Sequence, residues 1–261
     1  MSGIGDVQRG VKPRISYIIA SVQRSGTHLL SSILRSTGVA GKPGEYLFCK
    51  RTETWEKKWG SPTRAAYLER VFRQGTTPNG VFGFVVMWTY FERVIEMLHE
   101  IPAFEHLERP EVLATIFNHP KYIWVRRRDP VQQAVSWTIA SQTKLWSQKT
   151  GEAPPRNTAP RFDFDAIDQR YHGITADEQN WDNYFRQNEI EPLVLFYEDV
   201  AASNRAAAER VLEFLEVPVP VGLEIPAPAV EKQATKMSEQ WADAYRELKA
   251  KKTAGQMTKL E

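Results

Sequence analysis

Four short runs rich in Val, Ile and Phe recur along the 261-residue chain, with helix-like segments between them. The runs are SYIIAS (16–21), TPNGVFGFVVMW (77–88, opening with a turn), YIWVRRR (122–128) and EPLVLFYEDV (191–200). Continuous apolar runs of this length are typical of parallel strands, which crossover helices bury on both faces. The pattern therefore predicts an α/β fold with a central, mostly parallel sheet, whose ligands bind beyond the carboxyl ends of the strands.

Helices are predicted after the first, third and fourth of these strands. They include one over 171–188 with a cap near Thr175, and a terminal helix over 237–250. The first residues, 1–14, are expected to be a flexible leader, and residues 15–261 are expected to form one domain.

The charges and the single cysteine limit the class of protein. The 34 Lys and Arg residues nearly balance the 32 Asp and Glu residues, which argues against a protein that coats nucleic acid. Cys49 cannot form an intramolecular disulfide, and the N-terminus lacks the apolar core of a secretory signal. No apolar run approaches the roughly 18 residues of a membrane span. These features predict a cytoplasmic protein without a membrane span.

The first strand is followed by a polar loop and an amphipathic run in YIIASVQRSGTHLLSSILRSTG (17–38). A loop that opens a helix offers free backbone N–H groups to a phosphate, and the helix dipole favours an anion there. Gly26 permits close approach of the backbone, and Arg24 can bind two oxygens at once. The alternative is an ordinary turn in which Ser25 or Thr27 caps the helix.

This loop lacks the G-x-x-x-x-G-K-[ST] pattern of nucleoside-triphosphate sites, and so does the rest of the chain. The absence disfavours a kinase or ATPase, and with it a bound metal. The five His residues are scattered and have no Cys partner, so no metal site is expected.

A second anion site is suggested by VRRRDPVQQAVSW, where three arginines precede a predicted helix with Asp129 as N-cap and Pro130 at its first position. Because successive side chains of a strand point to opposite faces, Arg127 should point away from Arg126 and Arg128. One of them is expected to bind an anion; the alternative is that all three are solvated charges. Two anion sites on one sheet indicate a ligand with two separated phosphates.

Five blocks, in order along the chain, resemble those of the bacterial carbohydrate sulfotransferases of the trehalose 2-sulfotransferase type. They are ASVQRSGTHLL, GVAGKPGEYL, TPNGVFGFVVMW, RRRDPVQQAVSWTIASQTKLW and EKQATKMSEQWADAYR. The resemblance implies a three-layer α/β sandwich related to P-loop kinases and a carbohydrate acceptor. It also implies the donor 3′-phosphoadenosine 5′-phosphosulfate (PAPS), and a homodimer.

The resemblance also assigns residues that would bind the donor. Its 5′-phosphosulfate would be held by the loop residues Gln23, Arg24, Ser25, Gly26, Thr27 and His28. Its 3′-phosphate would be held by Arg127 and Ser136, with Arg128 as the alternative register of the triplet. Lys232 and Gln233 match a late segment that closes over the nucleotide.

By the same resemblance Glu45 is the catalytic base, and Arg24 stabilises the charge on the leaving phosphate. A Glu with an ordinary pKa of roughly 4.3 is ionised at pH 7 and can take a proton from a sugar hydroxyl. From the residues alone, Glu45 could equally be a surface carboxylate in a loop. Tyr46, beside it, and Trp88, at the end of a strand, are expected to contact the acceptor sugar.

Two positions depart from the family pattern. His28 stands where Thr is common, and Val85 stands where Lys is frequent. The change at Val85 leaves the acceptor open among trehalose-like sugars, glycolipid headgroups and oligosaccharides, whereas His28 could donate to the leaving phosphate or cap the helix. Two further hypotheses are a nucleotide-dependent kinase of the same fold and a non-catalytic nucleotide or sugar binder.

Overall fold

The structure, a computed structural model, describes residues 12–47, 56–146, 159–225 and 236–257. These residues contain a four-stranded sheet in the order β2-β1-β3-β4, and each neighbouring pair of strands is parallel. The strands are β1 (Ile15–Ser21), β2 (Val81–Met87), β3 (Lys121–Arg126) and β4 (Leu193–Phe196). The predicted parallel α/β sheet is therefore confirmed.

Helices cover both faces of this sheet. In the described ranges they are α1 (Thr27–Ser36), α2 (Arg64–Gly75), α3 (Phe91–His99), α4 (Arg109–Phe117), α5 (Pro130–Thr143), α6 (Phe164–Gln187), α7 (Tyr197–Ala202), α8 (Asn204–Phe214) and α9 (Lys236–Met257). One face packs against α1, α7 and α8, and the other against α2 to α6 and α9. The result is a three-layer sandwich.

Strand β1 shows why this sequence selects a buried central strand. Tyr17 and Ile19 contribute to the core on the α1 side, whereas Ile18 and Ala20 contribute to the core on the α6 side. All four are fully buried. Burying an Ile side chain contributes roughly 1.5–3 kcal/mol, and Ile18 and Ile19 lie on opposite faces, so both faces of the strand favour the interior.

Two predicted element boundaries are wrong. Helix α6 begins at Phe164, where the Asp163 carboxylate accepts a hydrogen bond from the Ala166 N–H, and not near Thr175. Strand β4 has only four residues, because helix α7 begins at Tyr197. The segment YEDV is therefore helical, and its side chains lie on a helix at the carboxyl edge of the sheet.

Sequence periodicity also missed α2, α3 and α4, which fill one side of the sandwich. No helix within the described ranges is long and apolar enough to span a membrane. Of the predicted leader, residues 1–11 lie outside the described ranges.

Candidate active site

The carboxyl ends of all four strands meet at one edge of the sheet, because the strands are parallel. Residues 22–26 follow β1, residues 88–90 follow β2, residues 127–129 follow β3, and α7 follows β4. Half of the residues predicted to bind a ligand lie on these connections, the edge where an α/β sheet binds its ligands.

The loop after β1 has an unusual backbone. Arg24 and Gly26 both adopt the left-handed conformation, with φ of 67° and 92°. For a residue with a Cβ, such as Arg24, this backbone typically costs about 1–3 kcal/mol, and strain of that kind concentrates at functional sites. Gly26 is the N-cap of α1, so no side chain caps this helix, and the Ser25 hydroxyl is instead bonded to that of Ser21. The interpretation of the loop as a Ser- or Thr-capped turn is therefore wrong.

Tyr197 contacts this loop and was missed by the sequence analysis, which placed it in a strand. Its ring lies so close to Gly26 that a Cβ there would be 2.4 Å from the Tyr197 Cδ2. The Arg127 guanidinium lies over the same ring, with its Cζ 4.9 Å from the centroid. The Tyr197 ring thus contacts both predicted anion-binding regions. The sequence signal that could have identified Tyr197 was its position just after the fourth strand, at the edge where ligands bind.

The three consecutive arginines differ in their partners. The Arg126 Nε lies 2.6 Å from a carboxylate oxygen of Glu178 on α6. Arg128 is half exposed and donates to Asp199 at 2.8 Å. These two guanidiniums are held by carboxylates.

Arg127 differs from its neighbours because its Nε makes no hydrogen bond to any described residue. Its side chain is only 12% exposed, and its nearest carboxylate oxygen, on Glu198, is 3.7 Å from Nε. That Nε is buried without a hydrogen-bond partner among the described residues. Since a buried polar group without a partner is costly, this nitrogen is a site where a bound anion would stabilise the protein.

Arg24 brings the loop and α5 together. Its Nε donates to the Ser136 hydroxyl at 3.1 Å, and its guanidinium also donates to the Trp146 carbonyl. Burial, and then the positive charge of Arg127, lower the pKa of Arg24 to about 10. The structure therefore brings Arg24, Arg127 and Ser136 together, and two guanidiniums in proximity favour an anion between them.

The N-terminus of helix α5, unlike that of α1, is capped by a side chain. Asp129 is its N-cap, as predicted, and accepts from the Val131 and Gln132 N–H groups at 3.0 and 3.1 Å. Arg246 on α9 donates to the same carboxylate at 2.6 Å. An anion beside α5 would therefore bind to arginine and serine side chains rather than to the start of the helix.

Glu45 lies beside the loop and not on an open surface. The Val85 N–H donates to the Gly44 carbonyl at 3.0 Å, which fixes the segment before Glu45 along the edge of β2. The Glu45 side chain is only 19% exposed, and its Oε1 lies 3.7 Å from the Nε2 of His28 at the start of α1. The structure thus brings Glu45 to the start of α1, next to the predicted phosphate loop.

The two predicted acceptor-binding aromatics are largely used in packing. The Tyr46 hydroxyl donates to the Lys42 carbonyl at 2.6 Å, and its ring stacks on Phe82. Trp88 packs edge-on against Trp181, with 5.0 Å between ring centroids. Both remain partly exposed.

Several other predicted residues have different surroundings. Val85, one of the two departures from the family pattern, is buried in the α1 side of the core. Lys232 and Gln233 lie outside the described residues. No three His, Cys, Asp or Glu side chains in the described part of the chain are grouped in a way that could hold a metal ion.

Comparison with known proteins covers most of the chain. A family model described as Stf0 sulphotransferase matches residues 16–248. A trehalose 2-sulfotransferase of Mycobacterium tuberculosis (strain ATCC 35801 / TMC 107 / Erdman) is 29% identical, over 92% of this chain and 96% of the relative. A trehalose 2-sulfotransferase of Mycolicibacterium smegmatis (strain ATCC 700084 / mc(2)155) is 28% identical, over 88% of this chain and 94% of the relative.

Proposed function

The chain belongs to the Stf0 sulphotransferase family and is a sulfotransferase, and from this premise we propose that it transfers the sulfuryl group of PAPS to a carbohydrate hydroxyl. The observation that carries the choice of donor is the buried Arg127 Nε, which lacks a hydrogen-bond partner in the described structure and lies near Arg24. A donor with phosphates at both its 3′ and 5′ positions can use both guanidiniums.

Each end of the donor has a matching group of residues. The 5′-phosphosulfate binds at the start of α1, where the N-cap Gly26 has no side chain to cap the helix and Ser25, Thr27 and His28 lie close by. The 3′-phosphate binds to Arg127 and Ser136. Arg128 is a weaker candidate for this role because Asp199 holds it.

Glu45 acts on the acceptor in this proposal. A sugar hydroxyl is a poor nucleophile, and a carboxylate that removes its proton as the new bond forms typically accelerates the reaction by ~10²–10⁴. The acceptor oxygen forms a bond to sulfur while the bond from sulfur to the bridging oxygen of the 5′-phosphate breaks. The proton passes to Glu45, and His28 at 3.7 Å helps to hold that carboxylate in place.

The leaving group is 3′-phosphoadenosine 5′-phosphate, which gains negative charge at the former bridging oxygen. Arg24 and the N–H groups at the start of α1 stabilise this charge in our proposal, as donors do in an oxyanion hole. The guanidinium remains protonated near neutral pH, since its pKa is lowered only to about 10.

The acceptor is proposed to be a trehalose-like sugar, free or as part of a glycolipid or oligosaccharide. The names of the two relatives make trehalose the first sugar to test. The homodimer that the sequence resemblance implies belongs to the same proposal, and sedimentation of the purified protein tests it.

Two measurements test the proposal. The bisphosphate 3′-phosphoadenosine 5′-phosphate, added without metal, should raise the melting temperature, because a ligand that binds only the folded state stabilises it. ATP with Mg²⁺ should have little effect; the reverse result would favour a kinase.

In the second measurement, labelled PAPS is incubated with trehalose, maltose, glucose and galactose, and sulfated sugars are detected by mass spectrometry. Binding of the bisphosphate without transfer to any sugar would instead favour a non-catalytic binder.

A further inference from the structure

Three side chains from separate elements meet beside the end of β2. Thr89, two residues after β2, donates its hydroxyl proton to Asp177 on α6 at 2.7 Å. The same hydroxyl lies 3.4 Å from the side-chain oxygen of Gln23, which precedes Arg24 in the loop after β1. None of these contacts was predicted from the sequence, because the three residues are far apart along the chain.

Asp177 differs from the neighbouring acids of α6 in its partners. Glu178 is paired with Arg126 at 2.6 Å, and Asp182 is paired with Arg186 at 2.7 Å. Asp177 forms no ion pair with any described residue, and the neutral Thr89 hydroxyl is its hydrogen-bond donor. Burial raises the pKa of Asp177, and the Thr89 hydrogen bond only partly offsets this. A half-buried carboxylate without a cation at a ligand-binding edge indicates a functional role.

The surroundings of Asp177 retain hydrogen-bonding capacity. Its Oδ2 accepts from Thr89, whereas its Oδ1 makes no hydrogen bond to a described residue. The Gln23 Nε2 is buried and has no hydrogen-bond partner in the part of the chain that the structure describes. The unused Oδ1 acceptor of the half-buried Asp177 matches a sugar hydroxyl.

The charge of Asp177 determines which substrate it can bind. An ionised carboxylate repels the anionic donor, but it accepts short, strong hydrogen bonds from neutral hydroxyl groups. Its position agrees with this assignment, because Thr89 follows the end of β2 and Glu45 is fixed along the edge of the same strand through Gly44. A sugar over the end of β2 could contact both carboxylates.

We propose that Asp177, positioned by Thr89, binds a hydroxyl group of the acceptor sugar and thereby determines which sugars are used. The proposal rests on the function proposed above and adds a second, non-catalytic carboxylate to it. Asp177 contacts the acceptor, whereas Thr89 acts through Asp177 and is a positioning residue.

The experiment compares Asp177→Asn with Asp182→Asn, which makes the same chemical change on the same helix at an ion pair with Arg186. The acceptor is the sugar that wild-type protein sulfates best in the panel of four. Asp177→Asn should raise the KM for that sugar by about 10- to 100-fold, as expected for a lost hydrogen bond to a charged group. The Kd for 3′-phosphoadenosine 5′-phosphate should stay within about twofold, and Asp182→Asn should behave as wild type.

A set of singly deoxygenated forms of that sugar identifies the contact. For wild type, removing one particular hydroxyl should lower kcat/KM far more than removing the others, because the site is then left with an unpaired group. In Asp177→Asn the same removal should have little further effect, since the two changes delete one interaction. Thr89→Val should change the acceptor KM in the same direction by a smaller factor, and it serves as the second variant if Asp177→Asn folds poorly.

The outcomes separate the two proposals. If wild type transfers sulfate but Asp177→Asn has an unchanged acceptor KM, or loses affinity only for the nucleotide, the role of Asp177 is wrong and the proposed function stands. If wild type neither binds the bisphosphate nor modifies any sugar, the proposed function fails, and the role of Asp177 fails with it.

Discussion

The carboxyl edge of the sheet and the contact between α6 and α9 contain similar residues that are paired in different ways. At the edge, the Nε of Arg127 and the Nε2 of Gln23 are buried without hydrogen-bond partners within the described chain. Between the two helices, Asp168 accepts from Lys249 at 2.6 Å and from Tyr245 at 2.7 Å. Arg246 reaches across to Asp129 at the start of α5, again at 2.6 Å.

The difference in pairing favours the sheet edge, rather than the cleft between the helices, as the proposed binding surface. A cleft of about 570 Å³ opens between α5, α6 and α9, and the two cations that line it, Arg246 and Lys249, are both bound to aspartates. Charges that are already compensated stabilise the fold, whereas buried donors without partners gain most from a ligand. We therefore expect ligand binding at the sheet edge, whereas the paired charges of the α6–α9 contact stabilise the fold.

The largest effect is expected from Glu45→Gln, which keeps the shape of the side chain and removes its basicity. The turnover number should fall by ~10²–10⁴, the usual contribution of a general base. The affinity for 3′-phosphoadenosine 5′-phosphate should stay within about twofold, measured by calorimetry. Glu191→Gln, at an exposed glutamate before β4, is the matched control and should have wild-type turnover. A Glu45→Gln variant with normal turnover would remove Glu45 from the mechanism.

A smaller effect, on binding, is expected from Arg127→Ala. Losing a charged partner of the 3′-phosphate should weaken binding of the bisphosphate by about 10- to 100-fold. Arg126→Ala and Arg128→Ala should weaken it less, because Glu178 and Asp199 hold those guanidiniums. Calorimetric titrations of the three variants provide the comparison. If all three variants lost the same affinity for the bisphosphate, the carboxylate partners of the arginines would not identify which one binds the 3′-phosphate.

The smallest effect is expected on the paired side, from Asp168→Asn. It should lower the free energy of unfolding by about 1 kcal/mol and leave nucleotide binding unchanged, because Asp168 is a structural group. Asp165→Asn is the control, since its 3.5 Å pair with Lys252 joins the same two helices and its side chain is 91% exposed. Urea titrations of both variants give the values. A loss of nucleotide affinity in Asp168→Asn would contradict the division into two regions.

The ion pair of Asp168 also predicts how the stability of the protein depends on pH. Burial alone would raise the pKa of Asp168, but the hydrogen bonds from Lys249 and Tyr245 outweigh it and lower the pKa. A lowered pKa means that the stabilisation is present above the ordinary carboxyl pKa of roughly 3.9 and is lost as the pH falls below it. Stability measured from pH 5 downward should therefore fall more steeply for wild type than for Asp168→Asn.

The elements that the sequence predicted correctly depend on local patterns. The four apolar strands, helix α1 after the first strand and the Asp129 cap of α5 are each encoded within a few consecutive residues. The family was also visible in the order of its motif blocks. The boundary between β4 and α7 was wrong because LVLFYEDV continues a strand-like composition into a helix. The start of α6 was missed because its cap, Asp163, adjoins a Pro-rich stretch.

The sequence by itself determined the parallel sheet and the helix that follows the loop after β1, because hydrophobic periodicity and turn chemistry act between near neighbours. Only the tertiary structure decided that the Arg127 Nε has no hydrogen-bond partner among the described residues, that Tyr197 contacts Gly26, and that Thr89 donates to Asp177. These features depend on partners from distant elements, and the direction and pairing of a side chain are set only when those elements pack together.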